Sequence, residues 1–244
     1  MNLCIDQGNT RIKYALFEND LMHNHSIAIT DISEVSISFK NLLKEYPIDK
    51  VIVCNVSGNP DFPYSLLFSS YKIVHLDHQT PIPLINNYLT PHTLGNDRMA
   101  AAIGGFSQFP NHDILVIDMG TAITFDIVSK EGEFDGGNIS PGMSLRFKAL
   151  NAYTGRLPLC EYQREHDFFG RSTQEAIVAG VLNSIKMEIE GYIDYFNKIY
   201  QNPVVILTGG DANKFEIQRK SNIFAIPDLV LYGLNNILEF NSKE

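Results

Sequence analysis

The stretch ILVIDMGTAITFDIV, residues 114–128, predicts two short apolar strands joined by a polar turn. Four β-favouring residues lead into Asp118, and Gly120 stands where the backbone must turn sharply or approach a ligand closely. Thr121 and Thr124 offer hydroxyl groups, and consecutive backbone N–H groups in such a turn form a concave anion site. An ordinary hairpin, in which Asp118 and Gly120 serve only the turn, is the alternative to a phosphate loop.

The chain opens with the same pattern, LCIDQGNTRIKYAL at residues 3–16. Aligning Asp6 with Asp118 places Gly8 on Gly120, each between two apolar strands. A repeat of such long period predicts two similar lobes and not a solenoid, whose repeats are much shorter. Two hairpin loops could then grip one polyphosphate, with the carboxylates holding a cation. The repetition therefore favours a nucleotide-binding cleft.

Composition limits the function classes. The chain has 244 residues, 44% hydrophobic and 19% charged, which is enough for a substantial core in one or two domains. A net charge of −9 and the absence of a dense Lys/Arg cluster argue against a nucleic-acid partner. No apolar run approaches the length of a membrane span, and the chain begins directly with a predicted strand. We therefore expect a cytoplasmic protein without nucleic-acid or membrane partners.

The three cysteines, Cys4, Cys54 and Cys160, are odd in number and widely separated. Two of them stand on predicted buried strands. This usage fits reduced core thiols better than a disulfide framework or a zinc site.

Between and after the hairpins, apolar periodicity alternates between strand and helix, which predicts an α/β fold. We predict strands at residues 21–29, 51–54, 73–76 and 203–207. We predict helices from 30 or 31 to 46, from 95 or 96 onward, at 143–152, from 172 or 173 to about 196, and at 227–240. Loops are expected at residues 78–93 and 156–170.

The helix that begins at Gly95 or Asn96 carries Asp97 and Arg98 in its first turn. The helix dipole favours an aspartate there but disfavours an arginine, so Arg98 requires a reason. One interpretation is a helix cap with a surface arginine. The other is a carboxylate that accepts a proton beside a guanidinium that holds an anion. The spacing alone leaves both open.

Two further segments combine glycine with polar residues. GGNISPG, residues 136–142, predicts a short turn whose glycines either permit close approach to a ligand or serve a routine strand-to-helix corner. TGGD, residues 208–211, follows a predicted strand and suggests backbone close to a ligand.

Taken together, these motifs resemble those of the type III pantothenate kinases, in that family's order and over nearly the whole chain. The motifs are Asp6-Gln7-Gly8-Asn9-Thr10 with Lys13, Gly95-Asn96-Asp97-Arg98, Asp118-Met119-Gly120-Thr121-Ala122 with Thr124 and Asp126, Gly136-Gly137-Asn138-Ile139-Ser140-Pro141-Gly142, Gly170-Arg171-Ser172-Thr173, and Thr208-Gly209-Gly210. Any one of them alone is weak, whereas six in order are specific.

The resemblance implies membership of the superfamily of acetate and sugar kinases, heat-shock ATPases and actin. The fold implied is α/β, with duplicated ribonuclease-H-like (actin-like) lobes. Each lobe would have a mixed sheet that starts with a β-meander and is flanked by helices. We place the lobes at residues 1–112 and 113–244.

The resemblance also implies the reaction: ATP-dependent phosphorylation of pantothenate to 4'-phosphopantothenate, the first step of coenzyme A biosynthesis. Asp97 would accept the proton of the pantothenate hydroxyl. The ATP phosphates and Mg²⁺ would be held by Asp6, Gln7, Gly8, Asn9, Thr10, Arg11, Ile12 and Lys13. Pantothenate would be bound by Tyr88, Gly95, Asn96, Asp97 and Arg98.

For the second half of the chain, the resemblance implies that Asp118 binds a monovalent cation, K⁺ or NH₄⁺, and that Thr121 touches ATP. Thr173 would contact substrate in the partner subunit, so a homodimer is implied. The second hairpin lacks a cationic residue where the first has Lys13, and a monovalent ion in place of a lysine would explain this difference.

Two positions depart from the family pattern. Arg171-Ser172 stands where lysine and asparagine or aspartate are commoner, and Tyr232 stands where glutamate is expected. Both put substrate fit and the dimer contact in question. Another small-alcohol or sugar kinase of the superfamily, or a non-catalytic nucleotide-binding regulator that dispenses with Asp97, are the alternatives.

Overall fold

The computed structural model describes residues 1–9, 11–24, 32–57, 64–217 and 222–242. Its strands are β1 (Asn2–Gln7), β2 (Ile12–Glu18), β3 (Leu21–Asn24), β4 (Lys50–Asn55), β5 (Lys72–His75), β6 (Ile85–Asn86), β7 (Ile114–Met119), β8 (Ala122–Val128), β9 (Glu133–Pro141), β10 (Val204–Thr208) and β11 (Ile223–Ala225). Its α-helices are α1 (Ile32–Glu45), α2 (Tyr64–Leu67), α3 (Asn96–Gln108), α4 (Met143–Ala152), α5 (Thr173–Ile199) and α6 (Leu229–Phe240).

The chain divides into two compact units. The first comprises Met1–Pro110, Glu131–Asp135 and Asp228–Glu244, and the second comprises Asn111–Lys130 and Gly136–Pro227. The boundary that the sequence suggests, between residues 112 and 113, stays a prediction.

The first unit contains a five-stranded sheet in the order β3-β2-β1-β4-β5. The predicted meander is present, because β1 pairs antiparallel with β2 and β2 antiparallel with β3. β1 also pairs parallel with β4, which pairs parallel with β5, so the sheet is mixed as predicted. The predicted start of α1 at residue 30 or 31 lies outside the described residues.

The second sheet has six strands in the described residues, in the order β11-β10-β7-β8-β9-β6, and its first five repeat this arrangement. β7 and β8 form an antiparallel hairpin, and β10 pairs parallel with both β7 and β11. Each strand from β7 to β11 thus takes the place that a strand from β1 to β5 takes in the first sheet. This duplicated mixed-sheet topology confirms the predicted α/β fold class.

Two local predictions were wrong. Residues 136–141 belong to strand β9 and Gly142 is the N-cap of α4, so this segment is not a turn. Glycine at 137 and 142 allows the backbone to lie unusually close to its neighbours. A Cβ on Gly137 would be 2.0 Å from the Phe125 carbonyl oxygen, and one on Gly142 would be 2.1 Å from that of Gly120. The predicted loop at 78–93 contains the short strand β6 and a 3₁₀ turn at Pro91–Thr93. β6 forms because its backbone pairs parallel with the start of β9.

The helices pack as their apolar spacing predicts. The stripe along α5 is buried at Ile177, Val181, Ile185, Ile189, Ile193 and Phe196. In the first unit, α3 and α6 approach so closely that a Cβ on Gly233 would be 1.7 Å from the Ala100 carbonyl oxygen. A Cβ on Gly104 would likewise be 2.4 Å from the Leu229 carbonyl oxygen. These two glycines fix α3 against α6, and with it the position of the Asp97 turn.

All three cysteines are buried and free, as predicted for core thiols. Within the described residues, no helix combines the length and the apolar character that crossing a membrane requires.

Candidate active site

The first hairpin presents its loop at the end of β1. Asp6 pairs with Lys13 across the hairpin, and the Gly8 backbone N–H donates to the Arg11 carbonyl oxygen (3.0 Å), which closes the loop. Asn9 and Arg11 are exposed, whereas Asp6, Gly8 and Lys13 are half-buried. Gln7 and Ile12 are buried. Thr10, also predicted to hold ATP, lies outside the described residues.

Asp6 lies beside Cys54, its partner on the parallel strand β4. Burial raises the pKa of the Cys54 thiol well above the ordinary cysteine value, and the negative charges of Asp6 and Asp97 raise it further. Both carboxylates are therefore near one thiol at the carboxyl ends of β1 and β4. Ligand sites of α/β proteins characteristically lie at this edge of a sheet.

Asp97 occupies the first turn of α3, as the sequence predicts. Gly95 is the N-cap and has no side chain to cap the helix, so the interpretation of Asp97 as the cap fails. Asp97 is half-buried, and its Oδ1 accepts a hydrogen bond from the Arg98 backbone N–H (2.8 Å). A Cβ on Gly95 would be 2.5 Å from this oxygen, so glycine leaves room for the carboxylate.

Burial raises the pKa of the Asp97 carboxyl above the ordinary aspartate value. The hydrogen bonds from the backbone N–H groups of Arg98 and Asp97, and the charge of Arg98, partly oppose that rise. A carboxyl with a raised pKa is a stronger base when ionised, which suits a residue that removes a proton from an alcohol.

Arg98 is not a surface residue: only 7% of it is exposed. Its guanidinium carbon lies 5.7 Å from the centre of the Tyr88 ring, within the range of a cation–π contact. The Tyr88 backbone N–H donates to Asn86 Oδ1 (3.0 Å), and the tyrosine ring packs near Phe134. Two residues predicted to bind pantothenate are thus in contact with each other.

The second hairpin has a different environment. Asp118 pairs with Thr124 across the hairpin, and the Gly120 backbone N–H donates to the Ala122 carbonyl oxygen (2.9 Å). Gly209, in the predicted TGGD motif, has a φ of +92°, and a Cβ there would be 2.4 Å from Asp118 Oδ1. The motif therefore places backbone against the Asp118 carboxylate.

The two predicted cations, Mg²⁺ and a monovalent ion, require different ligands. Within the described residues, no group of three or more His, Cys, Asp or Glu side chains could hold a metal. Proteins usually bind Mg²⁺ through one or two carboxylates together with substrate phosphates, and the Asp6 carboxylate is a donor of that kind. In the second hairpin, Thr124 Oγ1 is buried and has no hydrogen-bond partner in the part of the chain that the structure describes. That hydroxyl and the Asp118 carboxylate are hard oxygen donors, which fit a monovalent cation.

Thr173 is the exposed first residue of α5. The cap is Ser172, whose side chain accepts from the Glu175 backbone N–H (3.3 Å), while Glu175 Oε2 accepts from the Arg171 backbone N–H (2.7 Å). The Arg171-Ser172 departure therefore leaves the helix start intact. Tyr232 packs its ring edge-on against Phe17.

Of the predicted site residues, the first unit brings Asp6 and Asp97 near Cys54, and Tyr88 into contact with Arg98. The second unit holds Asp118 and Thr121 in one loop, with Thr173 on its own helix. Sequence reasoning missed Cys54 as a neighbour of both carboxylates. The available signal was the order of the parallel strands, which places the end of β4 beside the end of β1.

Comparisons with known proteins show which family the chain belongs to. The family model of the type III pantothenate kinases matches residues 2–195. The chain is 41% identical to a type III pantothenate kinase of Phocaeicola vulgatus, with 100% of both chains covered. It is 44% identical to one of Bacteroides fragilis, with 99% of both covered.

Solved structures share the fold. A Baf family protein from Campylobacter jejuni has a TM-score of 0.63 at 22% identity and covers 99% of this chain and 100% of its own. The activator of 2-hydroxyisocaproyl-CoA dehydratase from Clostridium difficile, solved with ADPNP, has a TM-score of 0.55 at 13% identity, with 99% of this chain and 95% of that chain covered. These likenesses confirm the duplicated actin-like fold. The family match and the full-length relatives show that this chain belongs to the type III pantothenate kinases.

Proposed function

We propose that this protein transfers the γ-phosphoryl group of ATP to the hydroxyl of pantothenate, which yields 4'-phosphopantothenate for coenzyme A biosynthesis. The observation that carries this proposal is the placement of Asp97. Its half-buried carboxylate lies in the first turn of α3, close to the same thiol as Asp6 of the first hairpin. A base and a phosphate loop in one unit are the parts that a kinase for alcohols requires.

Asp97 acts as the base that orients the pantothenate hydroxyl and accepts its proton as the bond to phosphorus forms. Phosphoryl transfer passes through a loose transition state, so positioning and charge stabilisation matter more than strong base catalysis. Arg98, with Asn96, Gly95 and Tyr88, binds pantothenate, and the planar guanidinium is suited to a bidentate grip on its carboxylate. The contact between Arg98 and Tyr88 supports this pairing.

The first hairpin holds the ATP phosphates, with Asp6 as the carboxylate for Mg²⁺ and Lys13 as the cationic side chain. Lys13 Nζ lies 3.8 Å from Asp228 Oδ1, so its ammonium is held in place by a second carboxylate. In the second hairpin, Thr121 contacts the nucleotide and Asp118 holds K⁺ or NH₄⁺. When bound, these cations neutralise part of the negative charge that ATP and pantothenate bring into an acidic protein.

The test is incubation of the purified protein with ATP, Mg²⁺, K⁺ and pantothenate, followed by mass detection of 4'-phosphopantothenate. A panel of sugars and small alcohols replaces pantothenate in parallel reactions. A phosphorylated product formed from pantothenate, but from none of the sugars and small alcohols, supports the proposal. Equal or better turnover of a sugar would identify a different kinase of the superfamily, and ATP binding without any product would identify a regulatory nucleotide-binding protein.

We also propose that the protein works as a homodimer, with Thr173 completing the partner's pantothenate site. The support is an open groove of about 720 Å³ between α4 and α5. The groove is lined mainly by apolar side chains, including Leu150, Leu157, Ile177 and Val181, and Thr173 lies at its edge. Apolar surface of this kind on a protein typically marks an interaction site, and a second copy would cover it.

Two glycines of α5 provide a matched test of the dimer. Gly180 lines the groove, whereas Gly191 lies elsewhere on the helix, and a Cβ at either position would meet nothing within 4 Å. Gly180→Glu should therefore fold but dissociate into monomers of low activity, because it places a charge in the apolar groove. Gly191→Glu should remain dimeric and active. Light scattering that finds a dimer for Gly180→Glu, or a fully active wild-type monomer, would refute the proposal.

A cytoplasmic location completes the proposal. Three buried free cysteines suit a reducing compartment, where disulfides are rare. The substrate ATP is supplied there as well.

A further inference from the structure

The buried side chain of Gln7 is held at both ends by other side chains. Gln7 is the last residue of β1, directly before the loop glycine Gly8, and only 3% of it is exposed. Its Nε2 donates to Ser57 Oγ (2.9 Å), and its Oε1 accepts from the Tyr64 hydroxyl (2.8 Å). The amide is thus committed to contacts within the protein.

The contacts extend into the segment that follows β4. Ser57 Oγ donates to Asn55 Oδ1 (2.8 Å), which also accepts from the Ser57 backbone N–H (3.0 Å). The Val56 backbone N–H donates to the Gln7 carbonyl oxygen (3.0 Å). We call Gln7, Tyr64, Ser57 and Asn55 the Gln7 network. Through it, both the backbone and the side chain of Gln7 are fixed to the end of β4 and to α2.

We propose that the Gln7 network positions the phosphate loop and that the Gln7 side chain is not itself a ligand of ATP. This inference rests on the proposed kinase function, because it assigns the network's role toward the nucleotide. Gly8 and Asn9 follow directly on the residue that the network holds, so the network fixes the direction in which the chain leaves β1 and enters the loop. Hydrogen-bonded chains in a buried setting rigidify the residues that they join.

The corresponding position of the second hairpin supports a specific role. Met119 ends β7 as Gln7 ends β1, and it pairs with Ile123 as Gln7 pairs with Ile12. Met119 is 1% exposed and packs in an apolar cluster. A hydrophobic residue therefore satisfies the fold at this point of the hairpin. The polar network of the first hairpin goes beyond what the fold requires.

Tyr64→Phe tests the inference by removing one hydroxyl. The matched control is Tyr71→Phe, because Phe68 packs against both tyrosines. Its ring is stacked with that of Tyr64 and lies edge-on to that of Tyr71. The Kd for ATP with Mg²⁺ is measured by calorimetry without pantothenate, beside steady-state kinetics. We expect Tyr64→Phe to raise the ATP Kd and KM about tenfold, because misplacement of a positioned group costs at least this much. The pantothenate KM should stay unchanged, and Tyr71→Phe should match the wild type.

A double-mutant cycle separates positioning from a general loss of stability. Gln7→Met copies the second hairpin and should raise the ATP Kd about tenfold as well. If Tyr64 acts through Gln7, Tyr64→Phe has no further effect in the Gln7→Met background, because the hydroxyl has lost its partner. Additive effects, or an unchanged ATP Kd in Tyr64→Phe, would overturn the inference. Ser57→Ala replaces Tyr64→Phe in the same cycle if the phenylalanine variant does not fold.

The calorimetric measurement keeps this result apart from that of the proposed function. Should the wild type bind ATP and yet leave pantothenate unphosphorylated, the kinase proposal fails while the cycle still tests the network. Should the cycle be additive in an enzyme that phosphorylates pantothenate, only the network's role fails.

Discussion

The two hairpins share a topology but differ at the residue that faces the aspartate. Asp6 pairs with Lys13, whereas Asp118 pairs with Thr124. The first hairpin thus carries a lysine opposite its aspartate, and the second carries a threonine whose hydroxyl is buried without a hydrogen-bond partner among the described residues. The same strand-turn-strand frame therefore carries a positively charged side chain in one hairpin and an uncharged hydroxyl in the other.

The hairpins also differ in what surrounds their loops. The first loop follows the buried amide of Gln7 and shares its unit with Asp97, while the second follows Met119 and has the backbone of Gly209 against Asp118. Duplication supplied the strand-turn-strand frame twice, and the side chains at equivalent positions then diverged. We infer that the first unit carries the proton acceptor and that the second unit compensates charge through a bound ion.

The largest effect should come from the first unit. Asp97→Asn keeps the shape and hydrogen-bonding capacity of the side chain but removes the proton acceptor, a role typically worth about a hundredfold or more in rate. Turnover should fall by that factor, while ATP affinity and melting temperature stay near the wild-type values. Single-turnover kinetics and calorimetry measure the two quantities. Wild-type turnover in this variant would show that Asp97 is not the proton acceptor.

Much of this architecture was predictable because local rules decide it. Short apolar, β-favouring runs on either side of an Asp-x-Gly turn predicted both hairpins, and the spacing of Ile177 to Phe196 predicted α5. Strand β9 was missed because glycine is a turn residue in local statistics, and only the tertiary contacts of Gly137 show why the strand needs glycine there. The Gln7 network was missed for a related reason, since it joins residues from three elements that are distant in sequence.

The second prediction concerns the ion of the second hairpin. Activity should collapse in sodium or Tris buffer and return with potassium, because the bound ion would offset negative charge beside Asp118, which stands opposite the uncharged Thr124. Asp118→Asn should remove this dependence together with most of the turnover. Full activity without potassium or ammonium would refute the inference that the second hairpin compensates charge through a bound ion.

Thr124→Val sharpens that test. Since Thr124 Oγ1 has no hydrogen-bond partner within the described residues, its loss should leave the melting temperature unchanged or raise it. If the hydroxyl faces the ion, the potassium concentration for half-maximal activity should rise about tenfold, the usual scale for groups that support a metal site. An unchanged potassium requirement would show that the ion does not use this oxygen.

The next prediction concerns Arg98, which we assign to pantothenate and not to ATP. Arg98→Lys keeps the charge but loses the planar fork, so the pantothenate KM should rise about tenfold. The ATP KM should stay within about twofold, because the phosphates are assigned to the other loop of the unit. Steady-state kinetics with each substrate varied in turn measure both constants. Equal rises of the two KM values would contradict the assignment of Arg98 to pantothenate.

The smallest expected effect is a shift of the pH profile. Asp97 accepts a proton only when ionised, so kcat/KM falls as the pH drops through the pKa of its carboxyl. Burial raises that pKa, so the fall should lie above the ordinary aspartate range. Of the charged and titratable groups near this carboxyl, Arg98 lowers the pKa of Asp97, and Asp6 and Cys54 lie on the strands beside it.

Arg98→Gln removes the nearby positive charge and should therefore move the acid limb of kcat/KM to higher pH, whereas Arg98→Lys keeps the charge and should leave the limb in place. The two variants lose the same guanidinium, so the comparison isolates charge from shape. Profiles of kcat/KM for pantothenate between pH 4 and 8 decide the matter. If the acid limbs of the wild type, Arg98→Gln and Arg98→Lys coincide, the limb reports the titration of a group other than Asp97. The assignment of Asp97 as the base would then rest on the Asp97→Asn result alone.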